Sequence, residues 1–176
     1  MSTTAAHDLD GATGATVWDL AAAVPDPELP MVTLADLGIL RSATVDGDAV
    51  TVTITPTYSG CPAMREMSAD LRNRLERAGF DNVTVRTQLS PAWSSDWITA
   101  QGRAKLAAGG IAPPGPASRR AAGPVPLTLL APPRLVACPH CGSTSTRETA
   151  AFSATACKAL RRCDSCHEPF ENVKEI

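Results

Sequence analysis

The chain has 176 residues, of which 44% are hydrophobic and 4% aromatic, and its formal net charge is −2. This length suits one domain or two small ones, and the near-neutral charge gives no electrostatic case for binding nucleic acid. The sequence has no apolar run of about 18 residues that could span a membrane, and its first residues lack the basic and apolar regions of a secretory signal. We therefore expect a cytoplasmic protein, in which paired cysteines bind metal more often than they form disulfides.

The patterns in residues 16–108 predict a small α/β (α+β) sandwich domain, with helices packed on one sheet, after a disordered tail at 1–15. The clearest pattern is "AVTVTITPT", in which apolar residues alternate with threonine as in a half-buried strand. Asp46-Gly47 marks a hairpin turn, and Gly79 marks a helix end. The predicted order is α-β-β-α-β plus a helix: helix 16–24, strands 38–45 and 49–57, helix 62–78, strand 82–89 and helix 100–110.

Two segments of different character follow this domain. Residues 109–134 are rich in glycine, proline and alanine, which predicts a partly extended linker. Residues 135–176 carry five basic and five acidic residues, so they lack the basic face of a nucleic-acid-binding domain. This last segment is better suited to docking on another protein.

Four cysteines of the last segment form two C-x-x-C pairs, Cys138 with Cys141 and Cys163 with Cys166, separated by 21 residues. Each pair can place two sulfurs on one tight turn, and two such turns complete a tetrahedral site that suits Zn²⁺. A segment of about 40 residues is too short to be stable through a hydrophobic core alone, and a metal would supply the missing stability. The sequence therefore predicts a structural zinc ribbon, although this spacing also accommodates iron.

The remaining cysteine and the histidines of this segment are interpreted as non-ligands. Cys157 lies six residues before Cys163 and is predicted to be a small buried thiol on the strand that leads into the second pair. His140 and His167 lie within or beside the pairs. We expect both imidazoles at the surface, because four sulfurs already complete the coordination shell.

Cys61 precedes Pro62, a residue favoured at the first position of a helix, so Cys61 is predicted at a helix N-cap. Backbone N–H groups and the helix dipole there favour a thiolate. One interpretation is a transient ligand for iron or a cluster, or a nucleophile. The other is a small residue packed in a tight cap. The only histidine outside the last segment is His7, which argues against Cys–His catalysis.

Three motifs, "DPELP", "LADLGIL" and "TPTYSGCPAM", resemble the small domain of SufT-like iron–sulfur assembly factors. Together with "AWSSDWITAQGRAKLAAGGIAPP" and the ribbon, they make residues 16–176 similar to the D-subunit family of bacterial phenylacetyl-CoA epoxidase systems. Val173, near the end, departs from the aromatic residue expected there. The resemblance implies a role in maturing the metal centres of that system, with Cys61 at the position of the assembly-factor cysteine.

Such a system contains an oxygenase with a di-iron centre and a reductase with flavin and an iron–sulfur cluster. The resemblance implies that one or both are partners, and it favours a transient iron ion or iron–sulfur cluster beside the structural zinc that the cysteine spacing predicts. We expect the chain itself to be non-catalytic, because it has no acid/base constellation, di-iron ligand motif or glycine-rich cofactor loop. The alternatives are a structural or regulatory docking component of the oxygenase and, less favoured, a thiol redox enzyme. Self-association is left open.

Overall fold

The computed structural model describes residues 10–58, 60–117 and 135–176. These residues divide into two compact units: the first contains the described residues up to 93 together with 97–102, and the second contains 94–96 together with the described residues from 103 onward. None of the helices described is long and apolar enough to cross a membrane. The elements are α1 (Asp10–Ala22), β1 (Leu40–Asp46), β2 (Ala49–Ile54), α2 (Met64–Arg77), β3 (Asn82–Thr87), a 3₁₀ turn (Ser95–Trp97), α3 (Ala100–Ala108), β4 (Ile111–Ala112), β5 (Thr146–Ala150), β6 (Lys158–Cys163) and β7 (Pro169–Val173).

The first unit contains a three-stranded sheet in the order β1-β2-β3. Strands β1 and β2 form an antiparallel hairpin, in which Gly47 adopts a φ of 60° at the turn. Strand β3 runs parallel to β2, so α2 is the crossover helix of a β2–α2–β3 unit. The loop between β2 and α2 therefore leaves the carboxyl end of this parallel pair. The α-β-β-α-β order predicted from the sequence is confirmed.

Alternation along β2 and helical spacing along α2 build the core of this unit. Val50, Val52 and Ile54 are all fully buried on one face of the sheet. Helix α2 packs against β3 and α1, and its buried residues recur every fourth position. Burying side chains of this size contributes about 1.5–3 kcal/mol each relative to exposure. The buried residues of α2 are Met67, Leu71 and Leu75.

The "LADLGIL" motif forms a tight turn before β1. Asp36 accepts a hydrogen bond from the Thr33 N–H at 3.0 Å, and Thr33 Oγ1 accepts one from the Asp36 N–H at 3.1 Å. The Asp36 carbonyl also accepts from the Thr99 N–H at 2.9 Å. Gly38 follows with a φ of 67°, and a Cβ there would lie 2.6 Å from Trp97 Cβ. Backbone hydrogen bonds therefore account for Asp36 in this motif, and the close approach of Trp97 accounts for Gly38.

The "DPELP" motif has a similar structural explanation. Asp26 is 6% exposed, and its Oδ1 accepts hydrogen bonds from the backbone N–H groups of Glu28 and Leu29, each at 2.9 Å. The Asp26 N–H donates to the Val32 carbonyl at 3.0 Å. A buried carboxylate that accepts two backbone donors fixes the turn after α1.

The second unit contains a four-stranded sheet in the order β4-β7-β6-β5. Strands β5, β6 and β7 are antiparallel neighbours, whereas β4 pairs in parallel with β7. The Ser95 N–H donates to the Ile176 carbonyl at 3.0 Å, and the Arg103 guanidinium donates to the Ser95 carbonyl at 2.7 Å. These bonds explain why residues far upstream of the paired cysteines belong to this unit.

Several predicted boundaries differ from the structure. Helix α1 begins at Asp10, so residues 10–15 are helical and not part of a disordered tail, while residues 1–9 lie outside those described. Residues 109–117 were predicted as linker, yet they include β4, which is a strand of the ribbon sheet. The rest of the predicted linker, residues 118–134, also lies outside the described residues. The first domain ends nearer residue 102 than the predicted 108.

Replacing Gly38 by alanine is expected to lower the free energy of unfolding by more than ~2 kcal/mol. The new Cβ would be strained by the positive φ and would also meet Trp97 Cβ and O at 2.6 and 2.7 Å. Urea unfolding of the full chain measures this cost. Gly47→Ala is the matched control, because Gly47 has a φ of 60° but no heavy atom within 4 Å of its Cβ position. Equal losses for the two variants would contradict the packing role of Gly38.

Candidate metal centre

The first knuckle is a tight turn built around Cys138 and Cys141. The Gly142 N–H donates to the Cys138 carbonyl at 2.9 Å, and the Cys138 N–H donates to the Ser143 carbonyl at 2.9 Å. Gly142 adopts a φ of 75°, which a glycine accepts without strain. These two backbone hydrogen bonds close the turn, and the sulfurs of Cys138 and Cys141 both lie on the side that faces the second pair.

The second knuckle lies in the connection between β6 and β7 and repeats this design. The Cys163 N–H donates to the Glu168 carbonyl at 3.0 Å. His167 follows Cys166 with a φ of 66°, the position that Gly142 occupies in the first knuckle. A non-glycine residue in this conformation costs roughly 1–2 kcal/mol, so the second knuckle carries backbone strain that the first does not.

The four cysteines converge on one point. Cys138 Sγ lies 3.7 Å from Cys166 Sγ, Cys141 Sγ lies 3.6 Å from Cys163 Sγ, and all four sulfurs lie within 4.8 Å of one another. A metal with four thiolates at ~2.3 Å in a tetrahedron would place its sulfurs about 3.8 Å apart. The donor set therefore fits a tetrahedral metal ion, and the four residues predicted as ligands are brought together.

These ligands are also the centre of the ribbon's small core. Cys163 is fully buried and Cys138 is 2% exposed, and both pack with Phe170 and Ala112. Val136 and Cys166 pack around this cluster. Ala112 comes from β4, which explains why a strand from the predicted linker belongs to the ribbon. Three small buried residues and one phenylalanine make a marginal core, so a bound metal would contribute much of this unit's stability.

Backbone donors favour the thiolate form at Cys163. The N–H of Cys166 donates to Cys163 Sγ at 3.5 Å, and the N–H of Ser165 donates to it at 3.4 Å. The bond from Cys166 has the larger effect. Together the two bonds lower the pKa of Cys163 to about 6, although desolvation acts in the opposite direction. Cys163 is therefore the ligand most ready to bind a cation at neutral pH.

Two other ligands hold their protons more firmly in the absence of a cation. At Cys166, a backbone hydrogen bond from Glu168 favours the thiolate, but desolvation and the neighbouring thiols outweigh it and raise the pKa to about 12. At Cys141, a backbone hydrogen bond from Ser143 acts in the same direction, yet the neighbouring Cys163 and desolvation leave the pKa raised. Four sulfurs this close cannot all be thiolates unless a cation compensates their charge.

The residues interpreted as non-ligands lie outside this cluster. His140 and His167 are both exposed, as expected. Cys157 differs from its prediction, because it is half-buried and lies one residue before β6. Its Sγ is 3.1 Å from Thr155 Oγ1, and its carbonyl accepts from the Lys174 N–H at 2.9 Å. The hydroxyls of Ser143 and Ser165, 2.8 Å apart, bridge the two knuckles, a contact that the sequence did not reveal.

Cys61 lies in the first unit, in the loop between β2 and α2. The predicted N-cap position is wrong: the N-cap is Ala63, in helical conformation and without a side-chain cap, and α2 begins at Met64. Cys61 lies two residues earlier in a turn, where its N–H donates to the Tyr58 carbonyl at 3.2 Å and its carbonyl accepts from the Met64 N–H at 3.4 Å. Cys61 is half-buried.

The same loop begins with Thr55, a buried polar residue that the sequence pattern does not single out. Thr55 is 1% exposed, and its Oγ1 has no hydrogen-bond partner among the residues described. Its N–H donates to the Ile39 carbonyl at 2.9 Å, which fixes the backbone where β2 ends. The loop that carries Cys61 thus starts from a fixed point at the carboxyl end of the parallel strands.

Comparisons with known proteins match both units. Residues 15–86 match the family model described as "Iron-sulfur cluster assembly protein", and residues 122–174 match "PaaD zinc beta ribbon domain". A protein of Escherichia coli (strain K12), named as the D component of a 1,2-phenylacetyl-CoA epoxidase, is 43% identical over 160 residues, which cover 91% of this chain and 92% of the relative. This chain belongs to the D-subunit family of phenylacetyl-CoA epoxidases. The resemblance drawn from its motifs is confirmed.

Two further comparisons concern the N-terminal part of this D-subunit family member. An Fe-S protein maturation auxiliary factor of Porphyromonas gingivalis (strain ATCC BAA-308 / W83) is 34% identical over 85 residues, or 47% of this chain and 80% of the relative. The crystal structure of a DUF59 domain from Bacillus anthracis, of unknown function, is 25% identical with a TM-score of 0.51 and covers 55% of this chain and 93% of that one. The predicted α+β domain followed by a ribbon is confirmed.

Replacing Cys163 by serine should abolish metal retention, because one sulfur of the converging four is lost. Full-length protein purified without chelator should carry one metal ion per chain by elemental analysis, and the variant well below that. Cys157→Ser is the control, because it removes a cysteine of the same segment that lies outside the cluster. Stoichiometric metal in Cys163→Ser would rule out the proposed ligand set.

Metal affinity should rise with pH through the neutral range. Cys163, with a pKa of about 6, is already a thiolate at pH 7, whereas Cys166, with a pKa of about 12, must lose a proton to bind metal. For each proton released on metal binding, the apparent affinity rises roughly tenfold when the pH rises by one unit. Chelator competition between pH 6 and pH 8.5 measures the slope, and an affinity that does not change with pH would contradict this account.

Proposed function

We propose that this chain helps to assemble or load the iron or iron–sulfur centres of its epoxidase system. The recipient is the oxygenase, the reductase or both, and the chain itself turns over no substrate. The observation that carries the proposal is the position of Cys61. It is the one described cysteine in the unit matched to iron–sulfur cluster assembly proteins, and it is separate from the four-sulfur cluster of the ribbon.

The fold supports a binding role for the loop that holds Cys61. In open α/β sheets, ligands bind outside the carboxyl ends of parallel strands, and the β2–α2 loop lies at that end of the β2–β3 pair. Cys61 is half-buried there, so part of the residue is accessible to solvent. Such a position suits a group that must receive its cargo and release it again.

The chemistry of a single thiolate favours transfer over storage. A thiolate is a soft ligand for iron and for iron–sulfur clusters, which ordinarily have four cysteine ligands. Cys61 supplies one, so a second chain or small external thiols would complete the coordination of the cargo. The cargo would therefore be held weakly and pass to an acceptor with a complete ligand set.

We further propose that the ribbon holds zinc as a structural ion. The four sulfurs fit a tetrahedral cation, and residues 122–174 match a zinc ribbon family. Three of the four ligands are partly or wholly buried within the small core, which favours a resident ion over one that is handed on. The two metals would then have separate roles: zinc maintains the ribbon, and Cys61 handles iron.

Cys61→Ser tests the loading role in a strain that grows on phenylacetate. The variant keeps the size of the side chain and removes the soft ligand, so growth should fail. The oxygenase or reductase purified from these cells should contain less iron than from wild-type cells, while the zinc content of the variant chain stays normal. Cys157→Ser should grow normally, since that half-buried thiol lies outside both sites.

The outcomes separate the loading role from a docking role. Normal growth of Cys61→Ser with fully metallated partners would remove Cys61 from the mechanism. If deletion of the chain then abolished the epoxidase complex without lowering its iron content, the chain would be a docking component. The loading role is supported if the iron content of the oxygenase or reductase falls in the Cys61→Ser strain and not in the Cys157→Ser strain.

A further inference from the structure

Arg161 is a buried cation in the ribbon. It lies on β6, two residues before the ligand Cys163, and is 6% exposed. Burying a charge is costly unless it is paired and hydrogen-bonded. A buried guanidinium therefore calls for a compensating negative charge nearby.

The contacts around Arg161 compensate this charge poorly. The Glu148 carboxylate is 3.7 Å from Nη1, but the Glu148 side chain is 49% exposed, so solvent screens the pair. Nη2 reaches Thr146 O and Oγ1 only at 3.4 Å. No described residue offers an acceptor to Nε, although this atom is buried.

The other buried cation of this sheet provides a contrast. Lys158 is 5% exposed, and its Nζ lies 2.8 Å from Glu171 Oε2. Lys158 thus has a close carboxylate partner, as expected for a buried charge. Arg161 has no partner of this quality among the described residues, so local ion pairing does not explain its burial.

The position of Arg161 relates it to the sulfur cluster. It pairs in register with Phe170, which packs against Cys163 and Cys138, so the Arg161 side chain is on the ligand face of the sheet. Residues two apart on a strand have Cα atoms about 6.6 Å apart. The guanidinium reaches Thr146, the register partner of Cys163, and so extends along the sheet toward the ligand end.

Thr146 links this group to the cluster. Its Oγ1 donates to the Val136 carbonyl at 2.8 Å, and Val136 packs against the buried ligands. Four thiolates around a divalent ion leave a net charge of −2. A site of that charge, partly buried and within about a Debye length, is the negative group that a buried guanidinium lacks.

We propose that Arg161 compensates the negative charge of the metal-bound tetrathiolate and thereby strengthens metal binding. It acts on the site through its charge and does not ligate the ion. The role rests on the proposed occupancy of the ribbon by a divalent metal. In this account the guanidinium and the metal-bound tetrathiolate have opposite charges, and each lowers the cost of burying the other.

Zinc affinity of the full-length chain tests this role, measured by competition with a chromophoric chelator at fixed pH and ionic strength. Arg161→Met removes the charge and keeps a long apolar side chain, and we expect its affinity to fall about 10- to 100-fold, the range typical of groups that support metal ligands. Arg161→Lys keeps the charge and loses the planar shape, and its affinity should stay within a few-fold of wild type. Cobalt spectra of each variant show whether all four sulfurs still bind.

Arg162→Met is the matched control. Arg162 is the next residue on β6, is exposed and points to the opposite face of the sheet, so this variant makes the same change in net charge away from the cluster. It should bind zinc like the wild type. Arg161→Gln serves as a second neutral variant that retains a hydrogen-bond donor for Thr146, and it should weaken binding as Arg161→Met does.

The outcomes show whether the charge or the shape of the Arg161 side chain supports zinc binding. Loss in the two neutral variants with rescue by lysine supports charge compensation. Retained affinity in Arg161→Met, or loss in Arg161→Lys equal to that in the neutral variants, would assign Arg161 a packing role and overturn the proposal. A wild-type chain that binds no zinc would overturn the proposed occupancy of the ribbon. Equal zinc affinities across the wild type and all variants would instead overturn only the role of Arg161.

Discussion

Four cysteine sulfurs within 4.8 Å of one another impose the constraint on which the second unit depends. As thiolates they would repel each other, and as thiols they would place four weakly bonded groups in a core of only a few side chains. A cation resolves both difficulties. The surrounding structure is arranged for it: each knuckle closes on its own backbone, N–H groups point to Cys163 Sγ, and the hydroxyls of Ser143 and Ser165 join the two turns.

The first unit is built in a different way, because its described core is apolar and contains none of the four converging cysteines. Alternating valines of β2 and the regular apolar stripe of α2 supply an ordinary hydrophobic interior. The short motifs around it fix turns: Asp26 and Asp36 accept backbone hydrogen bonds, and Gly38 lets Trp97 approach the chain. This frame holds the β2–α2 loop at the carboxyl end of two parallel strands. Cys61 lies in that loop and is not among the buried core residues of the unit.

Spacing in the sequence was sufficient to predict which four cysteines converge, because two C-x-x-C pairs at this separation are typical of a shared tetrahedral site. Alternation and helical spacing likewise predicted the element order of the first unit. The two-residue strand β4 was missed, since so short a segment in a glycine- and proline-rich stretch has no periodicity. Cys61 was placed too close to α2 because Pro62 was assigned to the first helical position, whereas it precedes the N-cap. The burial of Arg161 depends on strand register, which a single sequence does not specify.

We propose that the chain handles two metals at two separate sites, zinc in the ribbon and iron at Cys61. Elemental analysis and absorption spectra of anaerobically purified protein, wild type beside Cys61→Ala, test it most directly. The account predicts about one zinc per chain in both proteins; when iron and an external thiol are supplied, iron with its charge-transfer absorption should appear in the wild type and be absent from Cys61→Ala. Iron that persists in Cys61→Ala, or zinc that disappears with Cys61, would contradict the separation of the two sites.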